Sequence, residues 1–188
     1  QFKQLADIDI TAVPMEVGPT THYIMGGIRV DADTQMSTVP GLFAAGECAA
    51  GINGANRLGG NSLSDLLVFG KRAGEYAAKF ARDNPAPAID AAQIQEIAGR
   101  VLEPFNRDHN HGPFQVQYDL QQLMQDNVGI VRREDEMQKA LAGIEQLWRR
   151  AAQVGVAGNR DYNPGWHTAL DLTNLLTVSE SITRSALE

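Results

Sequence analysis

The linker at residues 83–87 (D-N-P-A-P) constrains the fold more than any other feature of this sequence. Two prolines in three residues stop a helix and stiffen the chain, so they predict a boundary between two parts. Of the 18 glycines, 11 lie between Gly18 and Gly74, and the others are spread over the rest of the chain. We therefore expect a glycine-rich part over residues 1–84 and a helical part over residues 85–188.

The first part carries the pattern of an α/β fold. Residues 27–31 alternate between apolar and polar side chains, as in a half-buried strand. Residues 42–45 form a short apolar run that is typical of a buried parallel strand. A helix is predicted over residues 62–82, and Ser62 with Asp65 matches the capping-box pattern at its start.

The second part carries the pattern of an all-α domain. Helices are predicted over residues 91–103, 116–127 and 133–154, and from Trp166 onward. The last three have apolar side chains on one face and are joined by short loops, which favours an antiparallel bundle. The apolar faces comprise Met137, Leu141, Ile144, Leu147, Trp148, Ala151 and Val154 in one helix and Leu172, Leu175, Leu176, Ile182 and Ala186 in the last.

Composition excludes several classes of protein. The chain has 16 basic and 23 acidic side chains, a net charge of −7, so it lacks the basic surface that nucleic acids require. A single cysteine, Cys48, excludes an intrachain disulfide framework and a cysteine-based zinc site. His109 and His111 lack a third metal ligand nearby and are interpreted as loop residues. No apolar run reaches the roughly 18 residues of a membrane helix.

Residues 54–63 (G-A-N-R-L-G-G-N-S-L) form a glycine-rich loop that leads into a helix. Glycines let a backbone approach a ligand closely, and a helix N-terminus attracts anions. The loop is not a P-loop, because Gly60 and Asn61 stand where Lys and Ser or Thr belong. The planar guanidinium of Arg57 can donate two parallel hydrogen bonds to a carboxylate or phosphate group. The alternative interpretation is a solvated arginine on the surface.

Two further residues are candidates on weaker grounds. His22 is followed by a glycine pair, yet a lone histidine is more often structural than functional. Glu47 ends the predicted strand over residues 42–45, where ligands bind in open α/β sheets. A helix-capping carboxylate is an equal alternative for Glu47.

Three motifs occur in a characteristic order: residues 22–27 (H-Y-I-M-G-G), 40–47 (P-G-L-F-A-A-G-E) and 54–63. Their order and spacing resemble the flavoprotein subunit of succinate dehydrogenase and fumarate reductase. Residues 118–132 and 171–176 (D-L-T-N-L-L) resemble elements of the C-terminal helical domain of that family. The resemblance implies the C-terminal part of an FAD-binding Rossmann-like domain followed by a helical bundle.

The resemblance also implies roles for individual residues. His22 and Arg57 correspond to residues that bind a dicarboxylate substrate. Glu47 corresponds to a residue that holds the sugar-like part of FAD, and Ser62 and Leu63 to residues that contact the isoalloxazine ring. No residue of this chain is expected to be catalytic in the strict sense, because the family's proton-donating arginine belongs to a capping domain.

The sequence departs from the full family pattern. It contains no G-x-G-x-x-G unit for the FAD pyrophosphate, no capping domain and no basic C-terminal segment, and it begins with Gln1. Asn53 stands where many relatives have histidine. We therefore expect a portion of a longer subunit that is inactive alone.

The resemblance implies partners as well: the remaining N-terminal part of the same chain, an iron–sulfur subunit, membrane-anchor subunits, and succinate or fumarate. It implies a peripheral location on the cytoplasmic face of the cell membrane or the mitochondrial matrix face. L-aspartate oxidase is the nearest rival, but its loop usually has Met-Ala-Ser where this chain has Leu58-Gly59-Gly60. A non-catalytic fragment that docks another subunit is the alternative from a different class.

Overall fold

The chain is described by a computed structural model that covers residues 1–16, 18, 22–108 and 111–188. His109, interpreted above as a loop residue, lies outside the described residues. The chain divides into two compact units, Gln1–Ala88 and Ile89–Glu188.

The first unit contains a short helix, α1 (Phe2–Leu5), and a long helix, α2 (Asn61–Asp83). A 3-10 turn, Gly46–Cys48, lies between them and contacts α2. The loop that follows this turn leads directly into α2. The predicted helix over residues 62–82 is thus present.

The predicted strands over residues 27–31 and 42–45 are not formed. Within the described part of this unit, pairing is limited to isolated bridges: Ile28 with Ala49 (parallel), and Val30 with Ser37 and Met36 with Phe43 (both antiparallel). A strand ladder needs several consecutive extended residues, but this backbone turns every few residues. Five residues with positive φ interrupt the extended backbone, namely Gly26, Gly27, Gln35, Gly41 and Gly46. The prediction of α/β structure in the first part is therefore wrong for its strands.

The second unit is helical, as predicted. It contains α3 (Ala91–Leu102), α4 (Pro113–Asn127), α5 (Glu134–Ala151) and α6 (Pro164–Leu187), with a 3-10 turn after α3. Two of these helices begin earlier than predicted because each has proline at its first position, where the missing N–H costs no hydrogen bond. Asn163 also caps α6, since its Oδ1 accepts a hydrogen bond from the Trp166 N–H at 3.0 Å.

Helices α4, α5 and α6 pack around one hydrophobic core. Its buried members are Val116, Leu120, Ile144, Leu147, Val154, Leu172 and Leu176. α4 and α5 run antiparallel, because Asp119 pairs with Arg150 while Leu123, further along α4, lies against Gly143. At the start of α6, the indole N–H of Trp166 donates to the Val101 carbonyl of α3 at 2.8 Å.

No helix in the described ranges combines the length and the apolar character needed to cross a membrane.

The ion pair between α4 and α5 leads to a prediction about pH. Arg150 Nη1 lies 2.6 Å from Asp119 Oδ2, and this contact, with a hydrogen bond from Gln115, lowers the pKa of Asp119. Both side chains are about a third or more exposed, so we expect Asp119→Asn to lower the free energy of unfolding by only about 0.5–1 kcal/mol at pH 7. Because the pKa is lower in the folded state, this stabilisation is present above about pH 4 and is lost as the pH falls further.

Urea unfolding at pH 7 and pH 2 measures the effect of Asp119→Asn. The exposed Asp126, also in α4, supplies the control Asp126→Asn. An equal effect of the two substitutions at pH 7 contradicts the prediction.

Candidate functional site

The loop that enters α2 leaves the start of this helix without a side-chain cap. Gly60 is the N-cap residue, with φ of 84°, and none of the described side chains caps the first N–H groups of the helix. The capping box predicted from Ser62 and Asp65 is therefore wrong. Because Asn61 is already helical, Ser62 lies inside the first turn rather than before it. Ser62 is half-buried and Leu63 is exposed.

The segment that contains His22 is fixed to the 3-10 turn by backbone contacts. The Ile24 N–H donates to Glu47 Oε1 at 2.9 Å, and the Ile28 N–H donates to the Cys48 carbonyl at 2.8 Å. At Gly27, whose φ is 126°, a Cβ atom would stand 2.3 Å from that same carbonyl oxygen. Only glycine permits this approach. The Glu47 carboxylate accepts from the Ile24 N–H and caps neither the 3-10 turn nor α2. The helix-capping alternative for Glu47 is therefore wrong.

Arg57 lies in the loop with its guanidinium stacked on an aromatic ring. Its Cζ is 4.4 Å from the centroid of the Tyr23 ring. Its Nη1 donates to the Leu58 carbonyl at 3.2 Å, and its backbone N–H is held by Asn56 Oδ1 at 2.9 Å. Its Nε is buried and has no hydrogen-bond partner among the described residues. The Nε–H group is thus a buried donor that the described residues leave unsatisfied.

A buried carboxylate lies in the same unit. Asp65 in α2 is 5% exposed, its Oδ2 accepts a long hydrogen bond of 3.5 Å from Asn53 Nδ2, and its Oδ1 has no partner among the described residues. The sequence pattern did not predict this burial and assigned Asp65 to a capping box. One signal was available: an acidic residue within the apolar run over residues 63–69, where a solvated side chain is not expected.

Tyr23 was also missed as a site residue. Loss of solvent contact raises the pKa of the Tyr23 hydroxyl, and the negative charges of Asp65 and Glu47 raise it further, while Arg57 opposes them. The phenol therefore stays protonated and neutral at physiological pH. His22 stands edge-on to this ring, with 6.4 Å between the centroids.

The first unit thus connects three of the predicted residues. His22 contacts Tyr23, Tyr23 supports Arg57, and Glu47 binds the backbone next to Tyr23. Ser62 and Leu63 follow the same loop at the uncapped start of α2. An arginine with an unsatisfied donor, beside a helix N-terminus, is suited to bind a carboxylate or phosphate group.

Two family models match the chain. Residues 1–63 match the model described as FAD binding domain, and residues 117–188 match the model described as fumarate reductase flavoprotein C-term. Together they include every predicted site residue.

Curated relatives match nearly the whole chain. The fumarate reductase (CoM/CoB) of Methanothermobacter marburgensis has a subunit that is 38% identical over 180 residues, which are 96% of this chain and 32% of the relative. The fumarate reductase flavoprotein subunit of Escherichia coli is 33% identical over 189 residues, with 98% of this chain and 31% of the relative covered. The chain therefore spans about a third of the length of these relatives.

Solved structures agree with these matches. The Sdh1 complex of Mycobacterium smegmatis in the apo form contains a chain that is 52% identical, with a TM-score of 0.92 over 100% of this chain and 32% of that one. A quinol fumarate reductase of Escherichia coli contains a chain that is 33% identical, with a TM-score of 0.83 over 98% of this chain and 32% of that one. The chain is therefore similar, over nearly its whole length, to about a third of the flavoprotein chains of fumarate reductases and of the Sdh1 complex.

Proposed function

We propose that this chain is the C-terminal part of an FAD-dependent flavoprotein subunit that interconverts succinate and fumarate. The observation that carries the proposal is Arg57, whose buried Nε has no hydrogen-bond partner among the described residues and which lies in the glycine-rich loop that enters α2. A fixed guanidinium in such a position suits one carboxylate of a dicarboxylate.

The two parts of the chain take different roles in this proposal. Residues 1–84 form the C-terminal segment of an FAD-binding Rossmann-like domain and carry the substrate and isoalloxazine loops. Residues 85–188 form the helical C-terminal domain. The match of residues 1–63 to an FAD-binding family model supports the first assignment.

The residues present fit FAD on the grounds of their own geometry. The N–H groups at the start of α2 are free of side-chain caps, and small residues, Gly59 and Gly60, precede them. Ser62 and Leu63 lie in this first turn and are assigned to the isoalloxazine ring. Glu47, exposed in its 3-10 turn, is assigned to the sugar-like part of the cofactor.

The chain's own residues bind and orient the substrate. Arg57 binds one carboxylate of succinate or fumarate, and His22 donates a hydrogen bond to the dicarboxylate. When bound, FAD supplies the acceptor or donor for the hydride. The proton donor belongs to a capping domain outside this chain, so orientation and charge placement are what this chain contributes.

The proposal includes the assembly. The partners are the N-terminal part of the same subunit, membrane-anchor subunits and an iron–sulfur subunit, and the protein is held peripherally at a membrane through them. Similarity to chains of a succinate dehydrogenase complex and of a quinol fumarate reductase supports this assignment.

A dye-linked assay tests the proposed function. The full-length subunit with FAD is expected to oxidise succinate and reduce fumarate, and residues 1–188 alone with added FAD are expected to do neither. Oxidation of L-aspartate instead of succinate assigns the protein to the rival oxidase. Substrate-dependent turnover by residues 1–188 alone contradicts the assignment as a part.

Ser62 provides a test of the cofactor assignment. A flavin gains negative charge on reduction, and the positive end of a helix stabilises that charge. We expect Ser62→Asp in the full-length subunit to lower the midpoint potential of the flavin and to slow succinate oxidation, because it adds a negative charge beside the ring. Thermal stability is expected to hold, since acidic residues are favourable in the first turn of a helix.

Potentiometry measures the effect. Ser64→Asp, one residue after Leu63 in the same turn, is the matched control. An unchanged flavin potential in Ser62→Asp removes Ser62 from the site.

A further inference from the structure

The side chain of Arg57 is restrained on two sides. The ring of Tyr23 covers one face of the guanidinium, 4.4 Å from its Cζ, and the Leu58 carbonyl accepts from Nη1 at 3.2 Å. The edge formed by Nε and Nη2 is the one that contains the unpartnered buried donor. A free arginine side chain loses considerable rotamer entropy on binding a ligand, so restraint before binding raises affinity.

Tyr23 is itself held in place. Its neighbour Ile24 donates its N–H to Glu47, and Ile28 is hydrogen-bonded on both sides to the turn: its N–H donates to the Cys48 carbonyl, and its carbonyl accepts from the Ala50 N–H at 2.9 Å. The backbone on the C-terminal side of Tyr23 is therefore fixed to the segment that leads into the Arg57 loop, and the Tyr23 ring lies against the Arg57 guanidinium. A rigid aromatic face is the requirement for a cation–π contact that orients a cation.

We propose that Tyr23 is a positioning residue for the dicarboxylate site, because its ring face holds the Arg57 guanidinium with the Nε edge directed to a substrate carboxylate. The inference rests on the proposed function of Arg57. It assigns the effect to the aromatic ring and not to the hydroxyl group. The neutral state of the phenol is consistent with this, since a phenolate would form an ion pair with Arg57 and compete with the substrate.

The experiment measures binding of malonate, an unreactive dicarboxylate, to the oxidised full-length subunit by the change in flavin absorbance. Tyr23→Phe keeps the ring, so Kd is expected to stay within about 2-fold of the native value. Tyr23→Leu removes the ring, so Kd is expected to rise by about 2- to 30-fold. Flavin content and Tm of both variants are measured alongside, and Tyr23→Met replaces Tyr23→Leu if the leucine variant fails to fold.

Arg57→Gln separates the inference from the proposed function. Native malonate affinity in Arg57→Gln overturns the proposed function and the inference with it. Loss of affinity in Arg57→Gln together with native affinity in Tyr23→Leu overturns the inference alone. An equal loss in Tyr23→Phe and Tyr23→Leu also overturns it, because the hydroxyl is then the group that acts.

The double variant tests whether Tyr23 acts through Arg57. If it does, Tyr23→Leu with Arg57→Gln binds malonate no more weakly than Arg57→Gln alone, since the two effects are not additive. Additive losses contradict a role through Arg57. Steady-state kinetics supply a second readout: KM for succinate is expected to rise in Tyr23→Leu more than kcat falls.

Discussion

Replacing Arg57 with lysine in the full-length subunit is expected to be nearly as damaging as replacing it with alanine. Lysine keeps the positive charge but loses the planar fork, the Nη1 bond to Leu58 and the flat stack on Tyr23. Loss of a charge-assisted contact that strengthens in the transition state costs about 2–4 kcal/mol, or about 30- to 1000-fold in turnover.

The measurement is steady-state turnover of succinate with flavin content determined for each variant. Flavin content is expected to stay native, because Arg57 is assigned to the substrate. Arg72→Lys is the matched control: Arg72 also lies over an aromatic ring, Phe69 at 5.6 Å, and donates to a backbone carbonyl, but it belongs to the middle of α2. Near-native turnover by Arg57→Lys contradicts the assignment of Arg57 as the residue that binds a substrate carboxylate through its planar guanidinium.

Leu176→Ala is expected to give the largest loss of stability. Leu176 is fully buried in the core shared by α4, α5 and α6. Truncation to alanine removes apolar contact and leaves a cavity, which costs about 2–5 kcal/mol of the free energy of unfolding. For a domain whose total stability is about 5–15 kcal/mol, such a loss is a large fraction.

Its neighbour Leu175 makes a matched control, because it is the same residue type in the same helix and is 37% exposed. We expect Leu175→Ala to cost clearly less, because the surface it loses already contacts water in part. Urea unfolding followed by far-UV circular dichroism gives both values. Equal losses for the two variants would show that the core is not built around this face of α6.

Sequence reasoning succeeded where structure follows from local pattern. The apolar periodicity in residues 134–187 predicted helices, and Ile144, Leu147, Leu172 and Leu176 are indeed buried on the predicted faces. A helix satisfies its own backbone hydrogen bonds, so its existence depends mainly on nearby residues. Helices α4 and α6 begin before the predicted residues, at Pro113 and Pro164, because proline is well accommodated in the first turn of a helix.

Sequence reasoning failed where structure depends on contacts between distant segments. The run over residues 42–45 has the composition of a strand, yet only Phe43 forms a bridge there. A strand exists only when a neighbour pairs along it, and the sequence does not reveal which segments pair. The capping box at Ser62 failed for a local reason, because α2 already begins at Asn61 and Ser62 lies inside its first turn.

The sequence by itself determined the helical character of the second unit, the glycine-rich loop before α2 and the motifs that indicate the family. Only the tertiary structure decided that Tyr23 supports Arg57, that Glu47 binds the Ile24 N–H and that Asp65 is buried beside Asn53. These contacts join residues that are far apart in the chain and are connected through glycines with positive φ. Such contacts depend on how the whole unit packs, whereas a helix depends on its own residues. The sequence therefore predicts the motifs, but it does not predict how the residues of different motifs contact one another.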